Sequence, residues 1–537
     1  MVTKKEQEFW TDKIANEIIS RKGFHYTEDK IPKFKKFVVK TSASVSGVLH
    51  IGRLSDTIRG DAVFKSLKDA GVKTELIWVA EDMDPLRKVP EGVPKNYIEF
   101  IGMPVTDIPD PEGCHKTYAD HHTTEYFKVI DVFVSTKMEK FSMREEYKKG
   151  NFNPYIKKLL EHIEELKDIQ NKYRREKLQE SWGPWTPICD NCGKIITSKV
   201  LGFEKGKFHY KCEDYQFEKT IAKGCGYEGG NDPLKGNGKL LWKSEWSTQW
   251  CRWNVCSEGA GKEYQVPGSA FWINGEIVEK ILKFPMPVPI FYEHLTINGE
   301  KMSASLGNVV YPSQWLEVAP PELLRLLYLK DPMRVRDFRW EFVPNMMDEM
   351  DEFGKIYYGI KKIQNKRDAT TMKRLFELIQ IDKIPRKYGQ PISYNLFIEM
   401  AKILPEKNEL EFTIQKLREY GHLKNSSKRI DRAIRERLEF AKNWVGKFVK
   451  EKEIEIRIGE KERAMLKKLI DVIEEESDSE SMQKRIFEII KNSGTPVSEG
   501  FKLIYNIILN SDKGPRLGPY ILERGRKEII EKLKAAL

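Results

Sequence analysis

The sequence predicts an α/β domain built on a parallel sheet, split by an insertion and followed by an all-α region. Three observations carry this expectation. Residues 34–80 run strand, turn, helix, strand. From about residue 95 that pattern gives way to proline-rich loops and a cysteine-bearing stretch, and it resumes over 240–310. Beyond Pro312 the chain reads mainly helical. Taking the elements in order, residues 6–23 carry Phe9, Trp10, Ile14, Ile18 and Ile19 at helical spacing, a helix expected to cover the first strand. Phe34–Lys40 is an apolar-basic run with β-branched residues, a strand signal. Leu54, Ile58, Val63 and Leu67 follow at roughly helical spacing and stop at Ala70-Gly71. Thr74–Ala80 supplies a second strand and completes a βαβ unit.

The turn into the first of these helices is made of small residues, Ser42, Ala43, Ser44, Ser46 and Gly47, with His50 and Gly52 at its mouth. A helix N-terminus offers unpaired N–H groups and the positive end of the dipole, and small residues let a phosphate approach closely. At the carboxyl end of the second strand stand Glu81, Asp82 and Asp84, at the edge where open α/β sheets bind their ligands. Three carboxylates there suit a cationic substrate group or, equally, a solvated acidic turn.

Composition limits the field. A chain of 537 residues, 40% hydrophobic and 32% charged, suggests three or four soluble globular domains. No apolar run is long enough to span a bilayer, and MVTKKEQEFW has no signal-peptide core, so a cytoplasmic protein without a membrane partner is expected. A net charge of +11 favours a polyanionic partner. Seven cysteines in such a chain point to metal ligands or buried thiols more than to disulfides.

In the insertion, Cys189, Cys192, Cys212 and Cys225 read C-x2-C, nineteen residues, C, twelve residues, C. A pair two residues apart, with two more thiols brought back by a hairpin, suits structural zinc. Four thiolates leave no open position for substrate, so this metal belongs to folding. Upstream, Cys114, His115, His121 and His122, with Glu112 or Asp120 nearby, could hold a second metal or form an ordinary loop. Tyr155–Glu180 reads as one long helical stretch. Trp242, Trp246, Trp250 and Trp253 form an aromatic stripe whose default role is core packing, and Cys251 and Cys256 beside it are expected in the core. A helix is expected over Gly275–Leu282. After it, an Asn298-Gly299 turn precedes a basic, serine-bearing loop suited to a mobile clamp. Arg334, Arg336, Arg339 and Trp340 make a basic-aromatic cluster, and residues 345–537 carry helical segments without a repeat. Their surface suits RNA contact or is simply solvated.

That serine-bearing loop is Lys301-Met302-Ser303-Ala304-Ser305, 251 residues beyond His50-Ile51-Gly52-Arg53. Together the two stretches resemble the HIGH and KMSKS signatures of class I aminoacyl-tRNA synthetases. The order of TSASVSGVLHIG, EDMDPLRKVP, the cysteine module, GKLLWKSEWSTQW, GKEY and YEHLTINGEKMSAS is similar to that of class I lysyl-tRNA synthetases over residues 6–310, and fainter beyond. The resemblance implies a Rossmann-like catalytic domain in two halves, 1–95 and 240–310. It also implies a zinc-bearing, acceptor-end-binding insertion over 96–239, a stem-contacting connection over 311–350 and a helical anticodon-binding domain over 351–537. It implies ATP with Mg2+, L-lysine and tRNA(Lys) as partners; a monomer is favoured. By the same resemblance His50 and Lys301 are catalytic, and Ser46, Gly47, His50, Gly52, Lys301, Ser303 and Ser305 bind ATP. Ser42, Ser44, Trp242, Tyr264 and Tyr292 bind lysine; Glu81, Asp82 and Asp84 are candidates for the ammonium on chemistry alone. Three positions depart from the family: Arg53 stands where Asn or His is usual, Ala304 replaces the second lysine as those enzymes often do, and GKEY replaces GKDH. A glutamate- or glutamine-charging relative, a non-charging RNA- or nucleotide-binding paralogue and a shorter nucleotidyltransferase of the same fold are the alternatives.

Overall fold

The computed structural model describes residues 8–45, 50–90, 93–302, 308–389, 392–423, 428–449, 458–509, 512 and 514–537. The chain forms two compact units, residues 1–391 and 392–537.

The first unit is organised on a five-stranded parallel sheet. Its elements are helix α1 (Trp10–Ser20), strand β1 (Phe37–Ser44), helix α2 (Ile51–Asp69), strand β2 (Thr74–Glu81), strand β3 (Glu139–Ser142), helix α3 (Trp242–Trp253), strand β4 (Val255–Gly261), helix α4 (Ala270–Lys280) and strand β5 (Val288–Tyr292). The strand order is β5-β4-β1-β2-β3, each pair parallel. The chain thus runs outward from β1 to one edge, returns, and runs outward to the other. The gap between the carboxyl ends of β1 and β4 is the topological switch point where such sheets bind ligands. The Rossmann-like reading holds, and α4 begins a turn and a half before the expected helix start.

α2 is buried on almost every side, carrying Asp56, Arg59 and Asp61 inward with Leu54, Ile58 and Val63. A helix enclosed all round must pair the charges it buries. Asp61 accordingly meets Arg325 at 2.5 Å, both side chains without exposure, and accepts from Ser135 Oγ at 2.7 Å. α1 packs on α2, where Ser66 Oγ donates to Asp12 at 2.7 Å, and on β5. The stretch expected as one long helix is two, Asn153–Glu161 and Ile163–Asn171, because His162 leaves helical geometry (φ −115°, ψ 33°). Cys251 and Cys256 are buried beside the main core, and burial pushes both thiols up.

Residues 392–537 are helical throughout their described parts, with Leu466, Leu469, Ile486, Ile490, Ile521 and Leu533 in a core of their own. Among the described residues, no helix is long and apolar enough to cross a membrane.

Candidate active site

The two signature stretches meet at the N-terminus of α2. His50 is extended (φ −103°, ψ 170°) and caps the helix, its Nδ1 accepting the Gly52 N–H at 3.2 Å. That bond leaves the ring proton on Nε2, free to donate. Burial, then the exposed Arg53 beside it, push the imidazole down to about 4, so His50 is neutral near pH 7. Two contacts bring the second stretch here. Ile51 N–H donates to Val310 O at 2.8 Å, and a Cβ on Gly52 would lie 2.8 Å from both the His50 ring and Met302 Cε. Any side chain at 52 would force the His50 ring and Met302 to shift. Tyr328 Oη donates to Ile51 O at 2.9 Å from below. Lys301 is exposed at the end of a hairpin whose Asn298 (φ 51°) and Gly299 (φ 82°) both take positive φ, as a two-residue hairpin turn demands. The basic-aromatic cluster anchors this hairpin: Arg336–Phe338 pairs with Leu295–Ile297, and Gly299 N–H donates to Asp337 at 2.6 Å. Ser46, Gly47, Ser303 and Ser305 lie outside the described residues.

The residues assigned to the amino acid fall around the switch point. Ser42 N–H donates to Asp56 Oδ2 at 2.9 Å, and Ser44 Oγ donates to Asp84 Oδ2 at 2.8 Å. Trp242 is half-buried and stacks on Trp246, centroids 4.7 Å apart, while Trp246, Trp250 and Trp253 enter the core. Tyr264 packs edge-on against Trp246 at 5.2 Å. Tyr292 covers Arg59, whose guanidinium lies 4.7 Å from the ring centre. Asp82 stands apart from this group. Its carboxylate accepts Arg144 N–H at 2.9 Å and so holds the start of helix Met143–Lys148, while burial pushes it up to about 6.

Beneath Ser44 lies a buried charge cluster that spacing along the chain did not reveal. Lys40 sits 2.5 Å from Glu258 and 3.7 Å from Glu81; Trp250 Nε1 donates to Glu258 at 2.6 Å. Gln249 Nε2 donates to Glu81 at 3.2 Å. Lys239 lies 3.5 Å from Asp84 and 3.3 Å from Glu245, which also accepts Tyr147 Oη at 2.6 Å. Glu245 and Gln249 share one face of α3, four residues apart and behind the tryptophan stripe. Glu81 and Asp84 were already marked by the acidic run at the end of β2; for Glu245 and Gln249 the available signal was the stripe, whose intervening polar residues must point somewhere, here to the sheet.

In the insertion the sulfurs of Cys189, Cys192, Cys212 and Cys225 all lie within 4.8 Å of one another, with Cys189–Cys225 and Cys192–Cys212 both at 3.6 Å. A tetrahedral zinc with Zn–S near 2.3 Å spaces its sulfurs about 3.8 Å apart. The donor set fits. A second group joins Asp110, Cys114, His115 and His121, again with ligand atoms within 4.8 Å. The carboxylate is Asp110, where Glu112 or Asp120 was expected. Asp120 lies in the first turn of helix Tyr118–Ile130, and His122 instead packs edge-on against Tyr118, ring centres 4.5 Å apart.

A helix N-terminus at the switch point of a parallel sheet, clasped by a lysine-bearing hairpin, defines a class I aminoacyl-tRNA synthetase. The chain belongs to the family described as tRNA synthetases class I (K), whose profile matches residues 8–382. It is 29% identical to a Lysine--tRNA ligase of Methanosphaera stadtmanae, over 98% of this chain and 99% of that protein. It is 30% identical to a Lysine--tRNA ligase of Haloarcula marismortui, over 98% and 97% respectively. Among solved structures it aligns with a glutamate-tRNA synthetase from Elizabethkingia anophelis at 12% identity and a TM-score of 0.43, over 93% of this chain and 99% of that one.

Proposed function

We propose that this chain activates L-lysine with ATP and transfers it to the 3′ end of tRNA(Lys). The observation that carries the reading is the meeting of Gly52 with Met302 at the capped start of α2, supported by the relatives matched over nearly their whole length. A lysine carboxylate oxygen attacks the α-phosphorus of ATP, forming one P–O bond as the bond to pyrophosphate breaks. The terminal ribose hydroxyl then attacks the lysyl carbonyl carbon, and AMP leaves with the acyl oxygen. Such chemistry asks for placement and charge neutralisation, not a protein nucleophile. Neutral His50 donates from Nε2 to the nucleotide, and Gly52 leaves room for it. Lys301, with Ser303 and Ser305, meets the charge that develops on pyrophosphate, and Ser46 and Gly47 share in ATP binding by the family resemblance. Magnesium, bound with ATP, neutralises further phosphate charge.

For the amino acid, Ser42, Ser44, Trp242, Tyr264 and Tyr292 line the pocket. Asp84 is the acid that faces it, while Asp82 is committed to the backbone at Arg144. The carboxylates below disfavour a glutamate side chain. Residues 96–239 take the acceptor end, 311–350 the stem and the C-terminal helices the anticodon. The four cysteines hold a structural zinc, and Asp110, Cys114, His115 and His121 hold a second metal. Translation places the enzyme in the cytoplasm.

Lysine-dependent aminoacylation tests the reading. Wild type should charge tRNA(Lys), and Lys301→Ala should cut kcat by roughly 10²-fold or more, the scale of a single transition-state interaction. Charging with glutamate would overturn the pocket, and tRNA binding without charging by wild type would leave a binding paralogue.

A further inference from the structure

The buried cluster under Ser44 contains more acid than the protein itself neutralises. Four carboxylates, Glu81, Asp84, Glu245 and Glu258, face two lysines, Lys40 and Lys239. Three acceptor oxygens inside it, Glu81 Oε1, Glu245 Oε2 and Gln249 Oε1, are buried without a hydrogen-bond donor. The first two have only the ion-pair approach of Lys40 at 3.7 Å and Lys239 at 3.3 Å. Glu245 and Gln249 have no exposure and Glu81 has 8%. Buried acceptors of this kind are costly unless something donates to them. An alkylammonium brings one positive charge and three donors, which matches both deficits. Access is graded: side-chain exposure falls from 27% at Asp84 and 17% at Lys239 to 10% at Glu81 and none at Glu245. Trp242 and Trp246, on the same helix as Glu245 and Gln249, pack on each other and on Tyr264 and make an aromatic surface suited to a methylene stem.

We propose that Glu81, Glu245 and Gln249 seat the ε-ammonium of the substrate and so determine its specificity, with Asp84 and Lys239 at the mouth. The proposal rests on lysine being the substrate. Proton linkage supports it. Burial, more than any neighbour, pushes Glu81 up to about 8; Glu245 and Asp84 push the same way, Lys40 and Lys239 oppose, and Gln249 donates to it. Burial likewise raises Glu245, against Lys239 and Tyr147. At pH 7 the empty seat therefore holds a proton that an arriving ammonium displaces. Lysine binding releases it, and the lysine KM falls as pH rises from about 6 to 8.

Glu81→Gln and Glu245→Gln keep shape and remove the ability to ionise when the ammonium arrives. Each should raise the lysine KM by about tenfold or more with kcat within about threefold, the pattern expected when uniform binding is removed. Competition separates the two substrate ammoniums. Affinity for 6-aminohexanoate, which lacks the α-ammonium, should fall with the substitutions, and affinity for L-norleucine, which lacks the ε-ammonium, should not. Titration calorimetry in two buffers of different ionisation enthalpy should show proton release on lysine binding in wild type and none in Glu81→Gln. Unchanged ATP affinity and thermal midpoint identify folded variants. Folded variants with unchanged lysine KM, or losing norleucine equally, overturn the seat. Failure of wild type to activate lysine at all overturns the substrate reading instead.

Discussion

At the scale of single residues, the site depends on close approaches that leave no room for a methyl group. Gly259, on β4 beside the switch point, is one: a Cβ there would fall 1.7 Å from Asp56 Oδ1, while Oδ2 of the same carboxylate holds the Ser42 N–H. Gly259→Ala must therefore push Asp56 off Ser42 and disturb the end of β1. Overpacking of this kind costs about 1–3 kcal/mol, so the thermal midpoint should drop and the lysine KM should rise. Denaturation and aminoacylation measured on the same preparation check both, and unaltered values for both would sink the account. His50, Gly52 and Lys301 were singled out by the resemblance of two short stretches taken together, and the four cysteines by a C-x2-C pair followed by two more thiols. Glu81 stood out in the acidic run at the end of β2, but Lys239, Glu245 and Gln249 come from two further elements that only the tertiary fold gathers around it. Charged residues inside a helix read as a solvated face; Asp56, Arg59 and Asp61 of α2 and Glu245 of α3 are buried instead.

At the scale of elements, the cysteine module matters to a loop it does not contain. The segment after β2 is held by Leu86 N–H to Met103 O at 2.9 Å and Val105 N–H to Asp84 O at 3.1 Å. The module grips it in turn, through Ile195 N–H to Gly102 O at 2.8 Å. Gly102 sits at φ +97°, where a Cβ would meet Ala222 at 2.9 Å. Yet the module's own sheet, Ser198–Glu204, Lys207–Cys212 and Glu228–Asn231, encloses a small core of Cys189, Tyr210 and Cys212. A core so small needs a metal to hold it. Elemental analysis should find two metal ions per chain, one absent from Cys212→Ser and the other from His121→Ala. Cys212→Ser should also raise the lysine KM, since the brace on Asp84 goes with the module. Retention of both metals by Cys212→Ser would refute the four-cysteine site. Here the sequence supplied the ligands and their spacing but not the brace, which forms between segments about ninety residues apart and leaves no local pattern.

At the scale of the whole molecule, the candidate site falls within one unit. The sheet, both signatures, the acid cluster and both cysteine-bearing sites lie before residue 391. That unit closes on itself: the helix Lys366–Ile379 is tied back to it by Arg325, which donates to Leu378 O at 2.6 Å while bound to Asp61 of α2, and by Lys65, which donates to Glu377 O at 2.9 Å. Residues 392–537 have a separate core, so each unit meets the requirement for folding alone. Cutting the chain between 391 and 392 should then separate two properties that fail together when a shared core is cut. The fragment 392–537 should give a cooperative thermal transition by far-ultraviolet circular dichroism. The fragment 1–391 should bind lysine, measured by calorimetry, within about twofold of the full chain, a difference below about 0.5 kcal/mol. Its kcat/KM for tRNA should fall by about tenfold or more if, as proposed, the removed helices bind the anticodon, since binding energy from parts of a substrate remote from the reaction is lost with them. Loss of lysine affinity in a well-folded 1–391 would mean that the helical unit helps build the amino-acid pocket, and the division of labour would have to be redrawn.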